Sequence, residues 1–503
     1  MATPSNKHNN GREVLAQKVF YSSFDGGLNL SASPETIAKN ELLDAVNVEI
    51  SHSTGRLKVR GGLVWLNRFS LESGDSVDEV IPIQGSEDFL MLSKSKKLFH
   101  YMNGVIYNTG FSLDSSLSNM NAAMWDNVIL LAYGLALEKL TIENNIYNWS
   151  PIASSDAPTN CRYVFVRNGR VGVVDGDNTI RYSAVGDCES WVDDPDDDSS
   201  GKFLDVGYKD GMKITAVCSL SKDLIVFKSS LEAPDCGTVF RVVGDYPDWQ
   251  VVEAVHNTGT YNYKTVKIVS NDVFYVTESG LATLSTVMEY GDVKMNWIDR
   301  KVSEALTSLI TSSAQLWKVA SKNQLWLAPS ETDDLIWVFD YRFKLWTCFK
   351  FNKLPKYVLC VRNNVFVFID NDIYEVNDFC YYDEVKDFGT VEIYAHVLFK
   401  ILSSSIQTLV KTVYVSYNTN TTCNAELCIG KFQMPLRYHG NSECIYNDTD
   451  IAYLDSDSLW GINGEIMTAR QRCIVRDWML TPEMKITGGG FELSAIGFEV
   501  VEV

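Results

Sequence analysis

A run of aspartates is the densest group of side chains in this sequence that could carry chemistry. It comprises Asp193, Asp194, Asp196, Asp197 and Asp198, with Pro195 between them. Carboxylates are calcium ligands, but calcium needs about six to eight oxygens, and the alternating Asp-x-Asp-x-Asp-Gly spacing of its common loop is absent. We therefore expect a solvated loop. An acidic channel lining and a metal site stay open as alternatives.

Hydrolytic and nucleotide chemistry find no support in the sequence. There is no Gly-x-Ser-x-Gly elbow and no His-Glu-x-x-His helix, and the six histidines are widely separated. Gly201-Lys202 lacks the upstream glycine and the following Ser or Thr of a phosphate loop. We predict no catalytic residue, no cofactor and no metal. An enzyme acting on glycans remains an alternative, although 64 acidic residues make any single carboxylate pair uninformative.

A basic segment precedes the glycine pair at 61–62. Arg56, Lys58 and Arg60 alternate with Leu57 and Val59, which predicts a strand with one charged face and one buried face. Such a strand could pair with an acidic neighbouring subunit, so we take these three basic residues as a candidate subunit-interface strand. The alternative is an ordinary solvated strand face.

The charge balance limits the possible partners. The chain has 503 residues, 46% of them hydrophobic, with 44 Lys and Arg against 64 Asp and Glu, a net charge of −20. This charge disfavours a clamp that grips nucleic acid, because phosphate neutralisation needs clustered Lys and Arg. It is compatible with a surface past which nucleic acid slides.

The cysteine count and the hydropathy pattern indicate the cellular compartment in which the protein is made. Eleven scattered cysteines suggest reduced thiols rather than a disulfide framework. No signal-peptide pattern begins the sequence, and no apolar run reaches the length of a membrane-spanning segment. We expect a protein made in a reducing cytoplasm.

The secondary-structure pattern is β almost throughout. Short runs rich in Val, Ile, Phe, Tyr and Trp alternate with clusters of Asn, Asp, Gly and Ser. Asn168-Gly169 lies between two such runs and predicts a tight hairpin turn. The clearest helical periodicity is at 41–46, where Asn40 could act as a cap.

A repeating unit of apolar strands and polar turns recurs through the middle of the chain. Its spacing of about 40–55 residues is that of a four-stranded propeller blade. The units begin near Val80, Ala122, Cys161, Ile214, Thr265, Leu316 and Tyr357. We predict an all-β fold with a β-propeller of six blades, one of which takes strands from two places. Five or seven blades, or a series of separate β-sandwiches, are the alternatives.

The domain organisation follows from these patterns. We expect an extended N-terminal arm with docking strands at 1–75, the propeller at 76–380, and a C-terminal β-sandwich-like domain at 381–503. Within the propeller, Trp326, Trp337 and Trp346 are candidate blade-packing residues, because aromatic side chains usually fill the space between sheets.

Several segments together resemble a known family. The segments are Phe24-Asp25-Gly26-Gly27-Leu28-Asn29, Ser33-Pro34-Glu35-Thr36-Ile37-Ala38, Asp44-Ala45-Val46-Asn47-Val48, Gly55-Arg56-Leu57-Lys58-Val59-Arg60-Gly61-Gly62, Leu325-Trp326-Leu327, Ile336-Trp337-Val338-Phe339-Asp340, Leu345-Trp346, Gly490-Phe491-Glu492-Leu493 and Ile496-Gly497-Phe498-Glu499-Val500. In this order they resemble the propeller-bearing tail hub or nozzle proteins of short-tailed bacteriophages.

The resemblance implies a structural role in a virion tail. Members of this family form a ring, usually six-fold, below the portal and its adaptor, and their propellers surround a channel for the genome. Fibre or spike proteins attach to them, DNA passes without specific binding, and no catalytic residue carries over. We expect a ring homo-oligomer, most simply a hexamer, that assembles in the host cytoplasm and helps to retain the genome before ejection. An adaptor, a stopper, a receptor-binding tail component and a cellular interaction propeller are the alternatives.

Overall fold

The computed structural model describes most of the chain. The described residues are 16–71, 75–83, 86–113, 120–143, 146–220, 222–230, 234–244, 246–287, 292–386, 388–419, 423–438, 452–454 and 467–502. Helical elements among them are limited to the helix Ser303–Thr307 and the 3-10 turns Pro234–Cys236, Tyr263–Thr265 and Ala320–Lys322. The fold class is all-β, as the sequence predicted.

The chain contacts define two compact units. One comprises Leu63–Asn377 and Glu384–Gly389, and the other comprises Met1–Gly62, Asp378–Asp383 and Thr390–Val503. In sequence, the first unit is an insertion into the second. This grouping differs from the expected boundaries at 75 and 380, because strands from the two ends of the chain share sheets instead of forming a separate arm and a separate C-terminal domain.

The first unit is a β-propeller. Its described residues form seven groups of four antiparallel strands, here called blades 1 to 7. Their bounds are: blade 1, Val77–Pro82, Phe89–Ser93, Lys97–Met102 and Val105–Ser112; blade 2, Asn121–Trp125, Val128–Ala132, Glu138–Glu143 and Ile146–Pro151; blade 3, Cys161–Arg167, Arg170–Asp175, Thr179–Tyr182 and Lys202–Asp205; blade 4, Lys213–Leu220, Asp223–Ser229, Thr238–Val243 and Gln250–His256; blade 5, Val266–Val269, Asp272–Thr277, Gly280–Val287 and Asp292–Trp297; blade 6, Gln315–Val319, Gln324–Ala328, Leu335–Asp340 and Leu345–Lys350; blade 7, Tyr357–Val361, Asn364–Ile369, Asp372–Asn377 and Gly62–Ser70.

Blade 7 closes the ring with strands from two places. Its fourth strand, Gly62–Ser70, precedes blade 1 in the chain. On the other side, Phe366 of blade 7 packs against Phe89 of blade 1, with ring centroids 5.2 Å apart. The two-part closure was predicted. The described blades number seven rather than the favoured six, and seven was one of the alternatives.

Apolar clusters between neighbouring blades form the core of the ring. Val173 of blade 3 packs with Leu130 of blade 2, while Val174, on the opposite face of the same strand, packs with Val226 of blade 4. One twisted blade cannot bury both of its faces alone, so each blade depends on two neighbours. The closed ring gives every blade two neighbours, so both faces of each blade are covered.

The three predicted packing tryptophans lie inside blade 6. Trp326, Trp337 and Trp346 are 1%, 4% and 1% exposed. The indole Nε1 of Trp326 donates to Gln324 Oε1 at 2.9 Å, and that of Trp346 donates to the Ile298 carbonyl at 3.1 Å. Their polar atoms are thus satisfied where their rings are buried.

A buried carboxylate on blade 1 bonds both to the neighbouring blade 7 and to the turn before the distant blade 5. Glu79, on the first strand of blade 1, is 7% exposed. It accepts hydrogen bonds from Tyr263 Oη at 2.8 Å and from Tyr357 Oη at 3.2 Å, and Lys264 Nζ lies 3.1 Å from it. Tyr263 and Lys264 lie in the turn before blade 5, and Tyr357 begins blade 7. These four residues are called the Glu79 cluster below.

The electrostatics of the Glu79 cluster follow from burial and from one negative charge. Burial and the neighbouring Glu79 raise the pKa values of Tyr263 and Tyr357 well above 10. For Lys264, burial would lower the pKa, but the charges of Glu79 and Asp78 outweigh it and raise the pKa. Lys267 follows on the first strand of blade 5, and burial lowers its pKa to about 8, with the charge of Lys264 adding to the effect.

The second unit contains two sheets. The first is formed by Val48–Ile50, Leu57–Val59, Glu492–Glu502, Leu402–Asn418, Met467–Leu480 and Ala452–Leu454, with Gln17–Tyr21 paired to Glu492–Glu502. The second is formed by Glu41–Val46, Tyr394–Phe399, Pro482–Thr487, Asn424–Ile429 and Phe432–Leu436, with Gly27–Leu28 paired to Glu41–Val46. The short strands Tyr382–Val385 and Gly389–Glu392 complete the described elements.

The two sheets of this unit pack as a sandwich. Tyr21 of the first sheet stacks on Phe399 of the second, with ring centroids 6.4 Å apart. The N-terminal strands Gln17–Tyr21 and Glu41–Val46 are members of these sheets. The residues expected as an extended arm are therefore part of the sandwich core.

The segment predicted as a helix at 41–46 is a β-strand, so that prediction was wrong. Leu42 and Ala45 are both fully buried, a spacing of three that suggests a helical face. The pairing with Tyr394–Phe399 shifts register between Leu42 and Asp44. Such an irregularity changes the alternation of side chains, which lets residues three apart face the same core.

We expect Trp337→Ala to lower the free energy of unfolding by about 3–5 kcal/mol, because it leaves a large cavity in blade 6. Denaturant titration followed by circular dichroism measures the effect. Trp297→Ala is the matched control, since Trp297 is 41% exposed. Equal stability of the two variants would contradict the packing role of Trp337.

We expect Lys267 to add to the free energy of unfolding a contribution that rises with pH between about 8 and 10. Buried cysteines such as Cys161 and Cys218, whose pKa values burial raises to about 12, act in the opposite direction, so the Lys267 contribution is measured as a difference between variants. Folded Lys267 releases its proton near pH 8, whereas the unfolded chain keeps it to a higher pH, so the unfolded state binds more protons in this window. The slope from one proton is at most about 1.4 kcal/mol per pH unit. Lys267→Met should make the slope of the unfolding free energy against pH less positive by up to this amount, whereas Lys294→Met, at an exposed position of the same blade, should leave the slope unchanged.

Candidate functional site

The predicted acidic run forms an exposed loop in blade 3. It lies between the strands Thr179–Tyr182 and Lys202–Asp205. The side chain of Lys202 is only 2% exposed, and its Nζ lies 3.0 Å from Asp193 Oδ1. The same ammonium donates to the Asp194 carbonyl at 2.5 Å and lies 4.5 Å from the centre of the Tyr246 ring. A buried cation therefore holds the first half of the loop.

A second buried cation holds the other half of the loop. Arg170 is 7% exposed. Its Nη1 donates to the carbonyls of Ser183 at 2.7 Å and Ser200 at 2.5 Å, and its Nη2 donates to the Asp198 carbonyl. Because these bonds use backbone acceptors, they fix the path of the loop without neutralising its carboxylates.

Some carboxylates are used within the loop itself. Asp194 Oδ1 accepts from the Asp196 backbone N–H at 3.0 Å, and Asp197 Oδ1 accepts from that of Ser199 at 2.9 Å. The hydrogen bonds from Ser199 lower the pKa of Asp197. The side chains of Asp196 and Asp198 have no hydrogen bond or ion pair to the described part of the chain. The loop therefore presents two carboxylates from a fixed backbone.

The arrangement does not form a metal centre. Across the described residues, no group of three or more His, Cys, Asp and Glu side chains is placed to hold a metal ion. The acidic loop thus forms an exposed, negatively charged surface, which is suited to electrostatic interactions with other molecules.

A cavity of about 190 Å³ lies beside this loop, between blades 3 and 4. Its residues are Arg167, Asn168, Arg170, Tyr182, Val185, Asp198, Tyr246 and Trp249. Trp249 packs on Tyr182 and Tyr246, with ring centroids 4.8 and 5.6 Å apart. Arg167 donates to the Gly244 carbonyl at 3.3 Å and to the Lys222 carbonyl. The bonds made by Arg167 join the two blades and hold the cavity wall.

The turn that borders this cavity has the predicted conformation. Asn168 and Gly169 have φ values of 50° and 68°, and Arg167 pairs with Arg170 across the two-residue loop. Positive φ at both central residues is the type I′ geometry that Asn-Gly favours. The tight turn brings Arg167 and Arg170 to the same end of blade 3.

The predicted basic strand makes its ion pairs within the sandwich unit. Arg56 lies 3.2 Å from Glu492, and Lys58 lies 2.9 Å from Glu49. Burial would lower the pKa of Lys58, but Glu49 outweighs it and raises the pKa. The expected alternation holds, because Leu57 and Val59 are buried between the basic residues.

Arg60 occupies the interior of the same unit. It is 3% exposed, and its Nη2 lies 2.6 Å from Asp383 Oδ2 while its Nε donates to Asn47 Oδ1 at 2.9 Å. A side chain this buried cannot offer its charge to another subunit. The interface role expected for Arg60 is therefore corrected to a structural one, since its carboxylate partner belongs to the same chain.

Sequence reasoning missed Arg170, Lys202 and Glu79. Each is a single charged residue in or next to an apolar strand, with no motif around it. The sequence does not predict that a single charged side chain is buried, because its hydrogen-bonding partners, such as backbone carbonyls from other segments, are placed next to it only by the tertiary structure. Lys202 was considered only as part of a phosphate loop, a motif that it does not match.

The comparisons with known proteins found solved structures that are similar in fold but have low sequence identity to this chain. No protein-family model and no curated protein matches the chain. The chain is similar to the solved structure described as "YCF48 bound to D1 peptide", with a TM-score of 0.40 and 12% identity over 62% of this chain and 95% of that one. It is similar to the WD40 β-propeller domain of Doa1, with a TM-score of 0.40 and 10% identity over 63% and 97%. It is also similar to the computationally designed Ika8 protein, with a TM-score of 0.38 and 13% identity over 66% and 96%.

The propeller fold itself is established by the strand order and by the ring closure described above. No helix in the described ranges is long and apolar enough to cross a membrane.

We expect Arg60→Met to lower the free energy of unfolding by about 3–5 kcal/mol, because it breaks the buried ion pair between the Arg60 guanidinium and the Asp383 carboxylate. Arg56→Met is the matched control and should cost at most about 1 kcal/mol, since its pair is nearer the surface. Urea titration of both variants measures the difference. A small effect of Arg60→Met would show that Asp383 can be solvated in the folded chain.

Proposed function

We propose that this chain is a structural subunit of the tail hub, or nozzle, of a short-tailed bacteriophage. In this proposal a ring of copies continues the DNA channel below the portal and adaptor, helps to retain the genome before ejection, and carries fibres or spikes. The observation that supports it most directly is the way in which the two ends of the chain combine in one sandwich.

Segments that carry the family resemblance are neighbours in this sandwich. The Val59 N–H donates to the Phe491 carbonyl at 3.2 Å, and Leu57 pairs with Leu493. These contacts join the basic segment at 55–62 to the C-terminal segment at 490–500. Two resemblances more than 400 residues apart in sequence thus belong to one structural module, which makes independent coincidence a poorer explanation.

The strongly perturbed groups of the propeller favour a mechanical role. In the Glu79 cluster, Tyr263, Tyr357 and Lys264 all direct their polar atoms at one carboxylate that joins three blades. Asp299, whose pKa is raised by burial, accepts from the Leu281 N–H at 3.2 Å. These interactions hold the fold together and need no substrate to explain them.

The charge of the chain suits a conduit. Six copies at −20 each would carry a charge on the order of −120. Within a Debye length of about 8–10 Å an acidic wall repels the DNA backbone. DNA would then pass without specific binding.

A tail-hub subunit would have defined partners and a defined location. The partners are further copies of the chain, most simply six, the portal and adaptor proteins, and fibre or spike proteins. The site is the virion tail, after assembly in the host cytoplasm. No enzymatic activity is part of the proposal.

Negative-stain imaging and sedimentation velocity of the purified protein test this function. We expect a ring of several hundred kilodaltons with a central hole, formed alone or on addition of the adaptor from the same virus. A particle that stays monomeric under both conditions would contradict the proposal. A glycan-depolymerising activity in the same preparation would favour the enzyme alternative.

A further inference from the structure

One strand of the sandwich carries a basic and aromatic stripe in an otherwise acidic chain. On Met467–Leu480 the alternate residues Arg470, Arg472, Ile474, Arg476 and Trp478 are all exposed, and these five residues are called the arginine stripe below. Ile474 is 69% exposed and Trp478 is 54% exposed. Alternation on a strand places such residues on one side of the sheet, which gives a continuous surface.

The neighbouring strands extend the stripe with aromatic rings and a further cation. Arg470 lies over the Tyr414 ring, 5.2 Å from its centre, and Lys18 lies over the same ring at 5.8 Å. Phe20 is 48% exposed, and its ring lies 6.5 Å from that of Tyr414 and covers Gly497. The side chains are therefore ordered against each other before any partner binds.

The arginines of the stripe make no ion pair with the residues that the structure describes. None of the guanidinium groups of Arg470, Arg472 and Arg476 forms an ion pair within the described ranges of the chain. The acidic residues on this strand and its neighbours are Glu492, which lies 3.2 Å from Arg56, Glu499, which pairs in register with Lys18 and Thr412, Glu502, and the exposed Asp477. Three arginines that have no ion pair to the described residues thus lie on one face of a chain whose net charge is −20.

The composition of this surface is that of a protein interface. Trp, Tyr and Arg are the residues most enriched at binding hot spots, and exposed Ile and Phe add apolar area. Arginine also binds carboxylates in a bidentate geometry, which favours an acidic protein surface as the partner. The acidic loop described above presents Asp196 and Asp198 from a backbone held by buried cations.

We propose that the arginine stripe docks on the acidic loop at 193–198 of a second copy of this chain. This inference rests on the proposed ring function and identifies the contact that would build the ring. The contact joins two different surfaces, so repeating it from copy to copy generates a closed ring or an open chain. Opposite charges set the register of the contact, and the aromatic rings of the stripe supply its apolar area.

A charge-exchange experiment tests the contact. One variant carries Arg472→Glu and Arg476→Glu, and the other carries Asp196→Lys and Asp198→Lys. Each variant alone places like charges at every contact, so we expect its self-association in sedimentation velocity to weaken at least about 100-fold. In an equimolar mixture each contact again joins opposite charges, so assembly should return.

Matched controls separate assembly from folding. Lys39→Glu with Lys431→Glu makes the same charge change at other exposed positions of the sandwich unit and should assemble like the unaltered protein. Circular dichroism melting checks that every variant is folded. If a charge reversal unfolds the chain, Arg472→Gln with Arg476→Gln replaces it, with a smaller expected loss of association.

The outcomes distinguish this contact from the proposed function. Normal assembly of the Arg472→Glu and Arg476→Glu variant, or failure of the mixture to assemble, overturns the contact and leaves the ring function standing. Charge-dependent association into particles without a central hole supports the contact and overturns the ring. No self-association of the unaltered protein at any concentration, either alone or with the adaptor, overturns both. A further outcome would assign the stripe to nucleic acid instead. In that outcome the protein does not associate through the stripe but binds a fluorescent single-stranded oligonucleotide in a salt-sensitive way, and Arg472→Glu with Arg476→Glu abolishes this binding.

Discussion

The carboxylate of Glu79 is the interaction on which the propeller most depends. Packing between neighbouring blades is local and relates each blade only to the next. Glu79 instead receives hydrogen bonds from Tyr263 and Tyr357 and an ion pair from Lys264, so blades 1, 5 and 7 share one acceptor. A buried charge is costly unless it is fully paired, and the closed ring is what brings these partners together. The polar cluster and the ring closure therefore stabilise each other.

Buried cations with fixed partners occur in both units of the chain. Arg60 and Asp383 are 323 residues apart in sequence and lie in the interior of the sandwich unit. Lys202 and Arg170 perform the same task for the acidic loop, using backbone carbonyls as well as a carboxylate. In each case the cation is removed from the surface. The chain thus uses several of its cations internally, which leaves the acidic residues to dominate much of what it presents.

The arginine stripe differs from these buried cations because its arginines are exposed, and this exposure suggests a role in binding. Cations that are buried stabilise one chain, whereas exposed arginines beside aromatic rings are suited to a second surface. A ring built by such contacts would join an acidic loop to a basic stripe at each interface, and would leave the remaining acidic surface facing solvent or the channel. In the proposed ring, assembly and low adhesion to DNA would both follow from the same separation of charge.

The sequence by itself determined the all-β class, the starts of the repeating units and the tight Asn168-Gly169 turn, because alternation and turn chemistry act over a few residues. It also located Trp326, Trp337 and Trp346 in strands of one blade. Tertiary structure alone decided that Gly62–Ser70 completes blade 7, that 41–46 is an irregular strand, and that Arg60 is buried. It also brought Arg170, Lys202 and Glu79 to their partners. These features depend on pairing between residues tens to hundreds of positions apart, and local patterns carry no information about which distant partner a strand or a charge will meet.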